Sequence, residues 1–239
     1  MDNSNIDVVI NAGGMGTRLY PLTKDRPKPL VQVGDYTMIE HIIRHYQACG
    51  FKKFHVIANW MKDKMIAFFN EHPEYDVTIY NEEKPLGTGG GISLLKNNIK
   101  GTFILNNCDT LCLCDFDKMY EKHKENGNTI TCLVTYEEQK FAYGVFELDG
   151  DNVTSIKEKP THKYYVNVGT YICEPNVMSD IKEDTEYGFT DIIDLEMQKG
   201  NKVGSYLIDS YCWLDMGNHQ SLLDSERILK YSTYQNLWK

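Results

Sequence analysis

Val8-Val9-Ile10-Asn11-Ala12-Gly13-Gly14-Met15-Gly16-Thr17-Arg18-Leu19-Tyr20-Pro21-Leu22-Thr23, continued by Pro27-Lys28-Pro29-Leu30, decides how this chain is read. The apolar run at 8–10 has the character of a buried first strand, and a glycine loop follows at once, so the loop hangs from the strand's carboxyl end. Three glycines in four positions remove Cβ atoms that would hold a ligand away, leaving backbone N–H groups free to close round phosphate oxygens. Arg18, Lys24, Arg26 and Lys28 then gather positive charge beside the loop against Asp25 alone, in a chain of formal net charge -9. A polyphosphate ligand accounts for both features.

Two common glycine loops do not fit. A Walker A loop needs Lys and Ser/Thr after its last glycine, but Thr17-Arg18 follows Gly16; the dinucleotide fingerprint spaces its glycines more widely. Outward from the loop, Met38, Ile39, Ile42, Ile43 and Tyr46 recur at helical spacing, which predicts a helix over 37–49 ended by Gly50. Strands are predicted at 54–58 and 77–80 with a helix over 62–70 between them. This βαβαβ order predicts a parallel sheet with ligand loops at the strands' carboxyl ends. A second glycine run, Leu86-Gly87-Thr88-Gly89-Gly90-Gly91, reads as the opening of a helix to about residue 97, either as a close approach to a ligand or as a flexible lid. Asp109 follows the strand predicted at 102–106, where a carboxylate either holds a metal that bridges phosphates or caps the next turn. From about residue 128 the pattern changes to strands at 129–136, 143–148, 153–158 and 164–173 joined by short turns, then a helix at 190–199, a strand at 202–208 and a helix at 218–231.

With 239 residues, 41% hydrophobic and 25% charged, the chain has the composition of one ordinary globular domain. No apolar run reaches the length of a membrane span, and Met1 to Asn5 is polar and acidic, so a cytoplasmic location without membrane attachment is expected. The seven cysteines are read as reduced thiols; Cys108, Cys112 and Cys114 lack the second pair that a zinc site requires. The acidic balance argues against nucleic acid as a partner.

From Gly13 to Leu30 the chain follows G-G-x-G-T-R-L-x-P-x-T-x-x-x-P-K-P-L without a mismatch and resembles the sugar-1-phosphate nucleotidyltransferases. Further motifs in that family's order extend the resemblance from Val8 to about Tyr231: Leu86-Gly87-Thr88, Asp109, Tyr143-Gly144-Val145, Glu158-Lys159-Pro160, Asn167-Val168-Gly169 and Trp213-Leu214-Asp215. It implies an α/β fold with a Rossmann-like mixed, mostly parallel sheet flanked by helices. A smaller antiparallel sugar-binding part is added, giving a nucleotide-binding half at about 6–127 and a sugar-binding half at about 128–239 of one domain. It implies nucleotide contacts from Asn11, Ala12, Gly13, Gly14, Gly16, Thr17, Arg18, Lys28, Glu82, Gly87, Thr88 and Asp109. Gly144, Glu158 and Asn167 would meet the sugar, Lys159 its phosphate, and Asp109 with Asp215 a magnesium ion. The substrates implied are a nucleoside triphosphate and a sugar 1-phosphate, with self-association left open. Two other functions fit less well. A nucleotide-sugar glycosyltransferase would want Asp-x-Asp where Cys108-Asp109-Thr110-Leu111 stands, and a non-catalytic sensor would be expected to have lost Arg18, Lys28, Asp109 or Asp215.

Glu82 bears on the base. Relatives that use uracil or thymine commonly carry glutamine five positions before the L-G glycine, and Glu82 holds that place before Gly87. An ionised carboxylate only accepts, which suits the adjacent N1–H and N2–H of guanine and not the O4 of uracil. A guanylyltransferase is therefore expected, unless Glu82 or its neighbour Glu83 simply faces solvent.

Overall fold

Val8 and Ile10 face one side of the first strand and Val9 the other, and each side meets its own apolar cluster. This is the signature of a strand buried on both faces. In the computed structural model, which describes residues 2–231, that strand is β1 (Asp7–Asn11), and it lies inside a seven-stranded sheet. The chain continues through a short hairpin, β2 (Gln32–Val33) and β3 (Tyr36–Thr37), into α1 (Met38–Ala48). Thr37 closes that helix: its hydroxyl accepts the Glu40 N–H at 3.4 Å and the Glu40 carboxylate accepts the Thr37 N–H at 2.8 Å. Such a reciprocal cap contributes about 1 kcal/mol. The predicted apolar face, Met38, Ile39, Ile42, Ile43 and Tyr46, is buried against the sheet.

β4 (Lys53–Ala58), α2 (Lys62–Glu71) and β5 (Val77–Asn81) follow, then β6 (Phe103–Asn107), β7 (Thr110–Cys112) and α3 (Phe116–Glu125). β8 (Ile130–Lys140), the ribbon β9 (Val145–Asp149) and β10 (Asn152–Lys157), and β11 (Thr161–Cys173) form the antiparallel part. The chain ends its described course with α4 (Asn176–Ser179), α5 (Phe189–Gln198), β12 (Val203–Leu207), β13 (Trp213–Asp215) and α6 (His219–Tyr231). The large sheet has the order β12-β8-β11-β6-β1-β4-β5. β1, β4, β5 and β6 run parallel, β11 runs antiparallel to β6 and β8, and β12 is parallel to β8. Mixed and mostly parallel, it matches the architecture expected from the motifs. No helix among the described residues is long and apolar enough to cross a membrane.

Two differences from expectation bear on the site. The glycine run does not open an α-helix: residues Gly90–Leu95 form a 3-10 segment, because consecutive glycines weaken α-helix and the segment is pinned to neighbouring backbone. The strands β7 and β13 are new, each three residues long and below the length at which alternation is visible in a sequence.

Candidate active site

β1 is flanked by β4 on one side and β6 on the other, so the chain winds outward to β5 and then returns across β1. Ligand crevices of open α/β sheets lie at such a reversal, outside the strands' carboxyl ends. The glycine loop leaves β1 there, Glu82 follows β5 and Asp109 follows β6. Backbone bonds fix the mouth: Ala12 N–H to Ile57 O at 2.8 Å and Cys108 N–H to Asn11 O at 3.2 Å. Asn11 ties the two glycine loops together, its side-chain amide donating to Thr88 O at 3.0 Å.

The glycines of the first loop divide into two kinds. A Cβ on Gly14 would meet nothing within 4 Å, so that position is open to a ligand. Gly16 instead adopts φ +66, and a Cβ there would stand 2.8 Å from Lys28 Cβ and 3.0 Å from Thr23 Cγ2. Gly13 makes room for Glu82, whose Oε2 would lie 2.7 Å from an added Cβ. Thr17 begins the 3-10 turn Thr17–Leu19 that carries Arg18 into solvent. In the second loop, Gly87, Gly89 and Gly90 press on the backbone of residues 185–188, and the Thr88 hydroxyl accepts the Phe189 N–H at 2.9 Å. The density of glycine at 87–91 thus also serves packing between distant segments of this chain.

Glu82 is buried, at 3% exposure, which removes the solvent-facing reading. Its carboxyl lies between Gly13 and Gly91, where an added Cβ would come within 2.7 Å of Oε2 and crowd Oε1 respectively. Oε1 has no hydrogen-bond partner among the described residues. Burial pushes the carboxyl pKa up to about 7, opposed by a backbone hydrogen bond from Leu86. Around neutrality both of its protonation states are therefore populated.

The unexpected ribbon of β7 and β13 brings together the two aspartates separated by more than a hundred positions. Asp215 pairs with Thr110, and the Met216 N–H donates to Asp109 O at 2.8 Å. Asp215 Oδ1 and Asp109 Oδ2 would lie 2.9 and 3.0 Å from a Cβ placed on Gly217, with Arg18 Nη2 at 3.2 Å from the same point. Gly217 is thus the floor of a small pocket lined by two carboxylates and a guanidinium. Lys28, 8% exposed, forms an ion pair with Asp109 Oδ2, and Arg18 lies 3.8 Å from that oxygen. Oxygen-only donors converging on one point suit a hard divalent cation such as magnesium. Among the described residues no group of three or more His, Cys, Asp or Glu comes together as a ligand set. The nearby thiols are buried: Cys108 and Cys112 are each pushed up to about 12 by burial, so they stay protonated.

Sequence reasoning missed the residue that braces this turn. Asn106, 1% exposed, donates to Asn107 O at 2.8 Å and Thr110 O at 3.0 Å, and accepts from Tyr46 OH at 3.0 Å and Thr170 Oγ1 at 2.6 Å. Its only sequence signal was position, an amide three residues before Asp109 at a strand end. Gly217 was missed for the same kind of reason, since its contribution is space.

Gly144, Glu158 and Lys159, expected from the resemblance to meet the sugar and its phosphate, stand together at the base of the β9–β10 ribbon. A Cβ on Gly144 would lie 3.0 Å from Glu158 Oε2, and Lys159, exposed and at φ +45, donates its N–H to Tyr143 O at 3.2 Å. Asn167 sits where the pairing of β11 with β8 is interrupted, its amide donating to Tyr171 OH at 2.5 Å and accepting Gly169 N–H at 3.0 Å. Gly169, at φ +79, lets β11 lie on Asn107, which joins Asn167 to the Asp109 end of β6. No hydrogen bond or ion pair among the described residues joins Gly144, Glu158 or Lys159 to Arg18, Lys28 or Asp109.

A family model described as Nucleotidyl transferase matches residues 7–231. The chain belongs to the nucleotidyl transferase family. Within it, this chain is similar to a guanyltransferase named for mannose 1-phosphate, the class that its motifs resemble. It is 31% identical over 227 residues to a mannose-1-phosphate guanyltransferase of Candida albicans, covering 90% of this chain and 62% of that protein. It is 29% identical over 230 residues to the bifunctional protein GlmU of Methanococcus maripaludis, covering 92% and 53%. The chain thus spans only part of the length of these curated relatives. Among solved structures, HddC from Yersinia pseudotuberculosis superposes with a TM-score of 0.74 at 25% identity, covering 94% of this chain and 99% of that one. HddC has also been solved in complex with GMP-PN.

Proposed function

We propose that this chain transfers a nucleoside monophosphate from a nucleoside triphosphate to a sugar 1-phosphate, releasing pyrophosphate. The observation that carries this reading is the gathering of Arg18, Lys28 and Asp215 about the Asp109 carboxylate. Phosphoryl-type transfer needs positioning and neutralised charge rather than a protein nucleophile, and this site offers charge at fixed positions. In the reading, an oxygen of the sugar phosphate attacks the α-phosphorus in line, forming the new P–O bond as the bond to pyrophosphate breaks. Arg18, exposed at the end of its turn, holds the β- and γ-phosphates. Lys28, exchanging Asp109 for phosphate, stabilises the α-phosphate and the departing pyrophosphate. Asn11, Ala12, Gly13, Gly16, Thr17, Gly87 and Thr88 shape the nucleotide cleft. Lys159 receives the sugar phosphate, and Gly144, Glu158 and Asn167 the sugar. Asp109 and Asp215 would hold a magnesium ion, which when bound neutralises charge on the triphosphate oxygens. The division into a nucleotide half and a sugar half of one domain belongs to the same reading.

The finer proposal is a guanylyltransferase. It is supported by the carboxylate at Glu82, by the Candida albicans relative and by the GMP-PN complex of HddC. A second reading, use of uracil or thymine nucleotides, draws on the raised proton affinity of Glu82: protonated, the carboxyl both donates and accepts, as an amide does. Pyrophosphate release measured across ATP, GTP, CTP, UTP and dTTP against several sugar 1-phosphates tests both. Turnover with GTP and a sugar 1-phosphate is the expected result, and silence in every combination would overturn the activity.

A further inference from the structure

Lys28 and Arg18 address a single atom, Asp109 Oδ2, and Asp215 stands beside that carboxylate across Gly217. Two negative charges are thus met by two positive ones, all of them belonging to the chain. The two cations are held differently. The Arg18 side chain is 69% exposed and 3.8 Å from the oxygen, whereas the Lys28 side chain is 10% exposed and in direct contact with it.

The lysine has little freedom to be elsewhere. A Cβ on Gly16 would stand 2.8 Å from Lys28 Cβ and 3.3 Å from Lys28 Cδ, so the stem lies along the glycine loop. Lys28 opens the 3-10 turn Lys28–Leu30 between Pro27 and Pro29, whose rings fix the backbone on either side. Among the described residues Asp109 is the one acid with which it pairs. An ammonium group so placed keeps its partner, because an unpaired charge in a poorly hydrated place is costly.

A divalent ion between Asp109 and Asp215 calls on the same oxygen. Magnesium demands near-ideal geometry and gives up its water reluctantly, and a like charge a few ångströms away opposes it further. We infer that Lys28, backed by Arg18, is an internal competitor of the divalent ion: in the nucleotide-free chain its ammonium group holds the ion's place at Asp109 and sets the ion's affinity. The inference rests on the two-aspartate site of the reading above and on neither its base nor its sugar. In that reading, phosphate oxygens draw Lys28 and Arg18 away from Asp109. A bound triphosphate then raises the affinity for metal, and metal raises the affinity for triphosphate by the same factor. Such a chain takes up the ion together with the nucleotide rather than ahead of it.

Binding of Mn2+ to the full chain, without nucleotide or sugar phosphate, tests this through the electron paramagnetic resonance signal of the free ion. Lys28→Met, which keeps the stem and removes the charge, is expected to bind Mn2+ at least about tenfold more tightly than the wild type. The gain should vanish when Asp215→Asn is added, which locates it at this pocket. A thermal melt gives a second readout. Lys28→Met leaves the Asp109 carboxylate without its partner, so Mg2+ should raise its Tm by more than it raises that of the wild type. Arg18→Ala, at an exposed position, is expected to tighten Mn2+ binding by a smaller factor, and it carries the test should Lys28→Met not fold. Equal or weaker Mn2+ binding by Lys28→Met would overturn the inference, and so would a gain that survives Asp215→Asn. No turnover enters these measurements. A chain that shows the competition but releases no pyrophosphate would keep this inference and lose the proposed reaction, and turnover without the competition would do the reverse.

Discussion

Lys28 is an ion held in a nearly dry place, between the Cβ-free Gly16 and the Asp109 carboxylate. Removing it takes away a contact that strengthens as charge moves onto pyrophosphate, so Lys28→Ala is expected to lower kcat at least about a hundredfold. Lys28→Arg should fail to restore it, since a planar fork does not fit a space shaped for a point charge. Near-normal turnover by the folded Lys28→Ala protein would remove Lys28 from the mechanism. Glu82 yields a pH dependence. With its carboxyl at about 7, the ionised form proposed to pair with guanine dominates above neutrality and the protonated, amide-like form below it. The ratio of kcat/KM for GTP over UTP should therefore rise by about tenfold or more from pH 6 to 8, and Glu82→Gln should make the ratio flat and low. Stability moves the other way. The folded state binds this proton more tightly than the unfolded chain, so the stabilisation is complete below the ordinary carboxylate pKa and lost as pH rises through about 7. Thermal melts from pH 5 to 8 should show a falling Tm whose slope lessens in Glu82→Gln.

Among elements, the short ribbon of β7 and β13 matters beyond its length, because its pairing brings Asp215 beside Asp109. Gly217→Ala would put a methyl group among Asp215, Asp109 and Arg18, all flexible ends that can rotate away at little cost to the fold. We expect a Tm close to wild type, a raised magnesium requirement and at least about tenfold lower activity. An unchanged magnesium titration would show that the two carboxylates do not share an ion. Asn106→Ala is expected to behave in the opposite way. It strands Tyr46 OH, Thr170 Oγ1 and Thr110 O in the interior, so chemical denaturation should register a loss of about 2–4 kcal/mol. The strands and helices that the sequence announced were those with a periodicity to announce, such as Met38 to Tyr46 in α1 or Val8 to Ile10 in β1. β7 and β13 are too short to carry one. The packing of Gly87, Gly89 and Gly90 on residues 185–188 links segments about a hundred positions apart, a relation that no local pattern encodes.

For the molecule as a whole, β11 is the seam. Of its thirteen residues, Thr170–Cys173 pair with β6, and residues on both sides of the interruption pair with β8, so strands from both ends of the chain belong to one sheet. The two halves therefore share a continuous hydrogen-bonded framework. Unfolding by urea should follow a single transition, with fluorescence and far-ultraviolet circular dichroism coincident, and two separated midpoints would contradict this. Arg18, Lys28, Asp109 and Asp215 were singled out by the family resemblance, whereas the place where they meet was not legible in the sequence. It depends on the sheet order and on a floor at Gly217 that has no side chain to recognise.

That floor, with Gly13 and Gly91 around Glu82 and Gly16 beside Lys28, has a bearing on how the site is dissected. Truncation to alanine is ordinarily a deletion, and its reading assumes that each position contributes something to delete. Here several positions contribute room, and alanine becomes an insertion. A conventional scan would score the charged residues and pass over the hollows that hold them. The complementary scan, glycine to alanine through 13, 16, 91 and 217, would map the site by its negative.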